Sequence, residues 1–341
     1  MKRSGSSTTS LTDMGVPAAS SEDKLNMFES GEEGTLDYRL RFAMAEHAHS
    51  QQVISVWHDI PLYVRDEAEK CTGHLNFVCE IPRCSRKKFE IATNEVGNPI
   101  KQDTKKGLLR EFKKGDIFFN YGCFPRTWED PEHVHPDTKF PGDNDPLDVC
   151  EIGLRIVGTG DVRQVKVLGV LAMIDEDETD WKVIVIDKED RWAPELNDVE
   201  DVERLLPGVV PAIREWFRTY KVPDGKPENK FALDERCMGR SYAMKVVSEC
   251  HLAWRNLVGK AELGEVKSNL SVSRLRSVSQ SVGYCCCCSL SVVHRRLDEF
   301  GRAFVSRVVS SPFGAWLGGG GRLFSVKPLR FGGGECCCVG F

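Results

Sequence analysis

The sequence has no long apolar run. No stretch approaches the roughly 18 consecutive apolar residues of a membrane span, and the first twenty residues lack the apolar core of a secretory signal. There is no Gly-x-x-x-x-Gly-Lys-Ser/Thr phosphate loop, which disfavours a nucleoside triphosphatase. Positive charge is not in surplus either: the formal net charge is −5. From Gly264 onward ten Lys/Arg face four Asp/Glu, a balance of +6, which leaves residues 1–263 with 36 basic and 47 acidic residues, or −11. An acidic body argues against nucleic acid as the main ligand. Cysteine is present but unpatterned. Cys71, Cys79, Cys84, Cys123, Cys150, Cys237 and Cys250 stand singly, without zinc-like or disulfide-like spacing, as in a reduced cytosolic or stromal protein. The other seven form the runs 285–288 and 336–338, and adjacent side chains converge poorly on one ion.

What is present suits a packed globular core: 41% of the 341 residues are hydrophobic. Residues 1–35 read as a disordered N-terminal arm; the basic, Ser/Thr-rich leader over 1–20 makes organelle targeting the weaker alternative. Strand-like apolar runs or alternations follow over 36–42, 53–56, 75–82, 89–92, 103–110, 120–125, 149–152, 166–174 and 182–187, those at 103–110 and 120–125 joined by basic turns. Lys88 and Glu90 share the polar face of the strand that turns Phe89 and Ile91 to the core. Helical spacing appears only later, over 197–206 with Asn197 as cap, over 210–220, and over 241–257 with Met244, Val247, Trp254 and Leu257 inward. Beyond residue 263 Ser, Arg, Gly and Cys dominate and no pattern persists. Residues 264–341 therefore read as a low-complexity tail, disordered or a gene-model artefact.

Chemistry concentrates in Phe140-Pro141-Gly142-Asp143-Asn144-Asp145-Pro146-Leu147-Asp148-Val149, which sets three carboxylates in six residues between a turn signal and a strand. Like charges so close raise one another's pKa, and a divalent cation keeps them all ionised. All-oxygen ligands select a hard ion, Mg²⁺ first and Ca²⁺ or Mn²⁺ next. An EF-hand begun at Asp143 is excluded, because its sixth and twelfth positions hold Asp148 and Leu154 instead of Gly and Glu. Five acids in six residues follow over 175–180, beside Trp181 and a return strand, an arrangement that turns some of them inward. His133 and His135 with Glu129 offer a weaker zinc reading.

Taken together the motifs closely resemble the family I soluble inorganic pyrophosphatases of the eukaryotic type. Asp143-Asn144-Asp145-Pro146-Leu147-Asp148-Val149 matches that family's metal motif, and further matches follow in family order. These are Glu80-Ile81-Pro82-Arg83, Lys88-x-Glu90, Asp103 to Gly107 with Arg110, Asn120-Tyr121-Gly122 with Thr127-Trp128-Glu129-Asp130-Pro131, Asp175 to Lys182, and Glu215 to Asn229. The resemblance covers about residues 36–263, the expected catalytic domain. It implies an α+β, mainly β fold, an OB-like closed five-stranded β-barrel with peripheral helices. It implies Mg²⁺-dependent hydrolysis of pyrophosphate, with several ions per site and Mn²⁺ as a substitute, in the cytoplasm, without nucleic-acid or membrane partners, and with a homodimer kept in view. By resemblance, Asp143, Asp148 and Asp180 hold the first metal, Asp148 also the second, and Asp175, Asp180 and Glu90 the ions that arrive with substrate. Asp145 is the base that activates water. Lys88, Arg110, Tyr121, Lys182, Tyr220 and Lys221 hold the phosphates, and Glu80 and Glu129 support the site. The chain departs from the family where Ile117-Phe118-Phe119 replaces a Tyr-containing segment, and in the tail. The rival reading is a catalytically weak scaffold subunit of a chromatin-type complex, but a scaffold would tend to lose one of Asp143, Asp145, Asp148, Asp175 or Asp180, and all five are present.

Overall fold

The computed structural model describes residues 25–44 and 53–262, together with 296–297 and 303–304. Contacts divide the chain into the units Met1–Cys285 and Cys286–Phe341. In the second unit the two-residue strands Arg296–Leu297 and Ala303–Phe304 pair antiparallel; the rest of the expected tail lies outside the described residues. The arm expected over 1–35 overlaps a strand, Leu25–Ser30, which pairs in register with Arg39–Met44. Its own side chains are mostly exposed, so its order comes from the backbone ladder, which the sequence pattern does not reveal.

The fold is mostly β with a few helices. A small sheet runs in the order Leu25–Ser30, Arg39–Met44, Ile100–Gln102, Phe89–Ile91, with Val53–Ile54 beside the second of these. In the larger sheet Cys71–Ile81 pairs with Asn120–Cys123, that strand with Asp148–Glu151, and the last in parallel with Glu178–Asp187. Glu178–Asp187 forms a hairpin with Val162–Asp175, whose residues 162–165 pair back onto residues 75–78.

The continuous apolar run Val183-Ile184-Val185-Ile186 has a direct reason in this arrangement. Alternate residues of a strand face opposite sides, and both sides are core here: Val183 and Val185 enter one hydrophobic cluster, Ile184 and Ile186 the other. Each such side chain, fully buried, contributes about 1.5–3 kcal/mol.

Three helices cover the strands. The first, α1 (Val199–Leu205), is capped by Asp198 rather than Asn197: the Asp198 carboxylate accepts from the Val199 N–H and the Asp201 side chain answers in a capping box. Asn197 instead takes a hydrogen bond from Lys166. The second, α2 (Val209–Thr219), starts after the break at Pro207, with Gly208 at φ 88°, and buries Val210, Ile213, Trp216 and Phe217. The third, α3 (Arg240–Glu262), buries Ala243, Val246, Val247, Cys250, Trp254 and Leu257. Met244, expected inward, is half-buried at the edge of that stripe.

Candidate active site

The acidic turn is stitched to a second segment before any ion enters. Leu147 N–H donates to Thr127 Oγ1 at 3.0 Å, Asn144 N–H to the Glu129 carbonyl at 2.9 Å, and Glu129 N–H to the Asp145 carbonyl at 2.9 Å. Asn144 holds φ at 73°, a conformation asparagine tolerates better than most residues, and its Oδ1 accepts from Trp128 Nε1 at 3.1 Å. Gly142 must be glycine, since a Cβ there would lie 2.4 Å from the Glu129 carbonyl carbon. Glu129, which stands in the Pro-rich loop, thereby comes beside Asp143. One oxygen from each of Glu129, Asp143 and Asp180 lies within 4.8 Å of the others. Glu129 Oε1 accepts from the Trp181 N–H at 3.0 Å, while its buried Oε2 has no partner.

The parallel register of Asp148–Glu151 on Glu178–Asp187 puts Lys182 opposite Asp148. Its ammonium, 2% exposed, pairs with Asp148 and Asp180 and donates to Tyr121 OH at 3.1 Å; Tyr121 OH in turn donates to Asp148. Behind Tyr121, Phe119, Phe217 and Trp216 form an apolar wall, so the Ile117-Phe118-Phe119 segment supplies packing and no hydroxyl. Asp175 stands where the hairpin turns, with Glu176 and Asp177 at φ 50° and 68°. It accepts from Tyr220 OH at 3.2 Å and from Lys221 Nζ at 2.6 Å. Asp180 and Trp181 point inward, at 6% and 3% exposure.

Cations line the approach. Lys88 reaches Glu90 at 2.9 Å and Asp103 at 3.1 Å, and Arg110 reaches the same Asp103 at 2.8 Å. Arg110 and Lys221 open onto a cavity of about 250 Å³ completed by Thr104, Lys105, Glu176, Asp224 and Lys226. Glu80 lies underneath, buried, its Oε1 accepting from the Ile91 N–H at 2.7 Å.

The protonation equilibria express the crowding. Burial, then Glu90 and Asp148, push Asp145 up to about 7. Burial pushes Asp180 up to about 7, against the Lys182 ammonium and with Asp148 adding to the rise. Asp143 and Glu129 are driven well above the usual carboxylate range by burial and by the other acids of the cluster, and Glu80 by burial and Asp148. Burial works against the charge of Lys182, but Asp148 and Asp180 hold its pKa above that of an ordinary lysine; Glu90 and Asp103 do the same for Lys88. A carboxylate group left with this much uncompensated negative potential is a receptor for a hard divalent cation.

The structure brings the sequence-derived residues together in four sets, one of them the Lys88, Glu90 and Arg110 group joined through Asp103. Glu129, Asp143 and Asp180 converge; Asp148 sits with Lys182 and Tyr121; Asp175 sits with Tyr220 and Lys221. The zinc-like pair does not form: His133 is exposed, whereas His135 packs its ring 5.0 Å from Trp181 and lies 3.6 Å from Glu249. Asp103, Lys105, Glu176 and Lys226 were not chosen from the sequence. All four fall within the matched motifs, which was the available signal.

The chain is similar to known proteins across this region. The family model described as inorganic pyrophosphatase matches residues 77–255. The inorganic pyrophosphatase of Neurospora crassa is 56% identical over 230 residues, 66% of this chain and 78% of that protein, and that of Schizosaccharomyces pombe 53% identical over 256 residues, 74% and 86%. Among solved structures, recombinant inorganic pyrophosphatase from T brucei brucei superposes with a TM-score of 0.67 at 45% identity, over 71% of this chain and 72% of that one. An N-terminally truncated Trypanosoma cruzi vacuolar soluble pyrophosphatase in complex with PPi gives 0.66 at 42% identity, over 75% and 99%.

Proposed function

Because the chain belongs to the inorganic pyrophosphatase family and hydrolyses pyrophosphate to two phosphates, we propose that it does so with Mg²⁺ held by the clustered acids and with Asp145 as the base. The observation that carries this reading is the convergence of Glu129, Asp143 and Asp180, together with a buried Glu129 Oε2 that has no partner, a donor set of the kind a hard divalent ion completes. Asp143, Asp148 and Asp180 hold the first ion, with Glu129 closing the set. Asp148 also serves a second ion, and Asp175, Asp180 and Glu90 those that come with substrate; Mn²⁺ is the expected substitute. Bound there, such ions neutralise pyrophosphate charge and acidify water.

The chain's own groups do the rest. Asp145, raised to about 7, is poised to accept a proton from the attacking water near neutral pH. Lys88, Arg110, Lys182 and Lys221 offer N–H donors, and Tyr121 and Tyr220 O–H donors, to the oxygens of the two phosphates. Their present acidic partners hold them in place for a substrate of the same sign. Glu80 anchors the strand carrying Glu90 through the Ile91 N–H. The catalytic domain is read as residues 36–263. The cyclic pairing of five strands supports a closed OB-like barrel. The cytoplasm is the proposed compartment and a homodimer the proposed assembly; no helix of the described residues is long and apolar enough to cross a membrane. The scaffold alternative finds no support, since the relatives compared are themselves named pyrophosphatases.

The test is phosphate release from pyrophosphate by the purified chain, with Mg²⁺ and with a chelator. Release that needs Mg²⁺ and falls with Asp145→Asn supports the assignment; release undiminished by the chelator would overturn the metal role.

A further inference from the structure

We propose that the buried hydroxyl pair Thr138–Thr179 is a positioning device that sets the gap between the carboxylates of Asp143, Asp180 and Glu129, and with it the affinity and size preference for the divalent ion. The inference rests on the metal reading above and concerns two hydroxyls to which no motif assigns a role.

The three acids come from three segments, and the short stretch Thr179-Asp180-Trp181 ties them together. Thr179 holds the turn that carries Asp143: its N–H donates to the Pro141 carbonyl at 2.6 Å and its Oγ1 to the Phe140 carbonyl at 2.9 Å, with a bridge to Gly142 alongside. Asp180 is the next residue. Trp181 follows and holds Glu129 through its N–H at 3.0 Å. One residue therefore fixes Asp143, its neighbour is itself a ligand, and the third fixes Glu129.

Thr138 completes the arrangement. Its Oγ1 lies 2.6 Å from Thr179 Oγ1, and the two residues are 4% and 1% exposed. A hydroxyl has one proton. Since that of Thr179 goes to the Phe140 carbonyl, Thr138 must be the donor in the pair, and a relay runs from Thr138 through Thr179 to Phe140. The relay closes the short loop 138–142 onto the strand just ahead of Asp180. Three carboxyl groups drawn within 4.8 Å repel one another wherever more than one of them is ionised, so something must oppose their separation, and this relay ends on the Phe140 carbonyl beside the Thr179 N–H bond to Pro141. Outer partners of metal ligands typically change metal affinity or activity by about 10- to 100-fold when removed. Mg²⁺ demands a smaller and stricter oxygen set than Ca²⁺, so loosening the relay weakens Mg²⁺ more than Ca²⁺.

The experiment uses the full chain and the metals alone, without substrate. Mg²⁺ and Ca²⁺ affinities are measured by calorimetric titration for wild type, Thr179→Val, Thr179→Ser and Thr138→Val, with melting in chelator as the control for folding. The expected result is a loss of about tenfold in Mg²⁺ affinity for both valine variants, a smaller loss for Ca²⁺, and recovery within about twofold for Thr179→Ser, which keeps the hydroxyl. Valine variants that melt lower but bind Mg²⁺ as wild type does would overturn the proposal, as would equal losses for the two ions or a serine variant as weak as the valine. If Thr179→Val fails to fold, Thr138→Val, which leaves the Phe140 bond in place, carries the test. Failure of wild type to bind Mg²⁺ at all would instead sink the metal reading, so the two failures are distinguishable.

Discussion

Removing the Lys182 ammonium is the most informative single perturbation of the site. Lys182 is 2% exposed, pairs with Asp148 and Asp180, donates to Tyr121 OH, and lies 5.0 Å and 5.4 Å from the Phe217 and Tyr121 ring centroids. Lys182→Met keeps the length and the apolar stem but strands the buried Asp180 and the partly buried Asp148. Breaking one side of a buried ion pair costs about 3–5 kcal/mol, and a domain of roughly 230 residues loses about 2–4 °C of Tm per kcal/mol. The expected drop in chelator at pH 8 is therefore about 6–20 °C, read by circular dichroism during a thermal scan. The loss should shrink at about pH 5.5, where Asp180, raised to about 7 by burial, takes up a proton, and should be partly recovered by millimolar Mg²⁺, a second source of positive charge for the same oxygens. A drop of under about 2 °C in chelator at pH 8 would show that the ammonium is not what neutralises Asp148 and Asp180, and the electrostatic account of the site would fail with it.

Other outcomes follow from the same geometry. Asp145→Asn should lower kcat by roughly 10²-fold or more with the fold intact, the scale of general-base loss; steady-state kinetics with unchanged turnover would remove Asp145 from the mechanism. Burial raises Asp180 to about 7, above the roughly 3.9 of an unfolded chain. Its contribution to stability is therefore full below about pH 4 and is lost as pH rises through 7. The metal-free protein should thus melt progressively lower from about pH 5.5 to 8, and the Tm gain on adding Mg²⁺ should be larger at pH 8 than at pH 5.5; an equal gain at both pH values would contradict the linkage. Finally, a chain ending at Leu263 should hydrolyse pyrophosphate with kcat within about twofold of the full chain, whereas loss of activity on truncation would give residues 264–341 a role.

The sequence by itself determined the chemistry available and much of the framework. Asp143, Asp145 and Asp148 lie within six residues, so no folding is needed to see that they crowd. Runs such as Val183-Ile184-Val185-Ile186 announce strands buried on both faces, and Ile213, Trp216 and Phe217 announce a helix, because periodicity is set by local backbone geometry. Adjacent polar residues were less legible: Asn197 and Asp198 are both good caps, and only the backbone at Asp198, φ −148° and ψ 172°, with Asp201 placed to answer, decides between them. The tertiary structure decided which groups meet. Glu129 stands in a Pro-rich loop and Asp180 across a hairpin, yet they share a site with Asp143 because backbone bonds from Gly142, Asn144, Thr179 and Trp181 draw three segments together. The pairing of Lys182 with Asp148, 34 residues apart in sequence, depends on a parallel register between their strands, and a shift of one residue would turn Lys182 to the opposite face. Thr138 and Thr179 carry no signal of their own, since a hydroxyl becomes a structural link only when folding removes the water that would otherwise satisfy it.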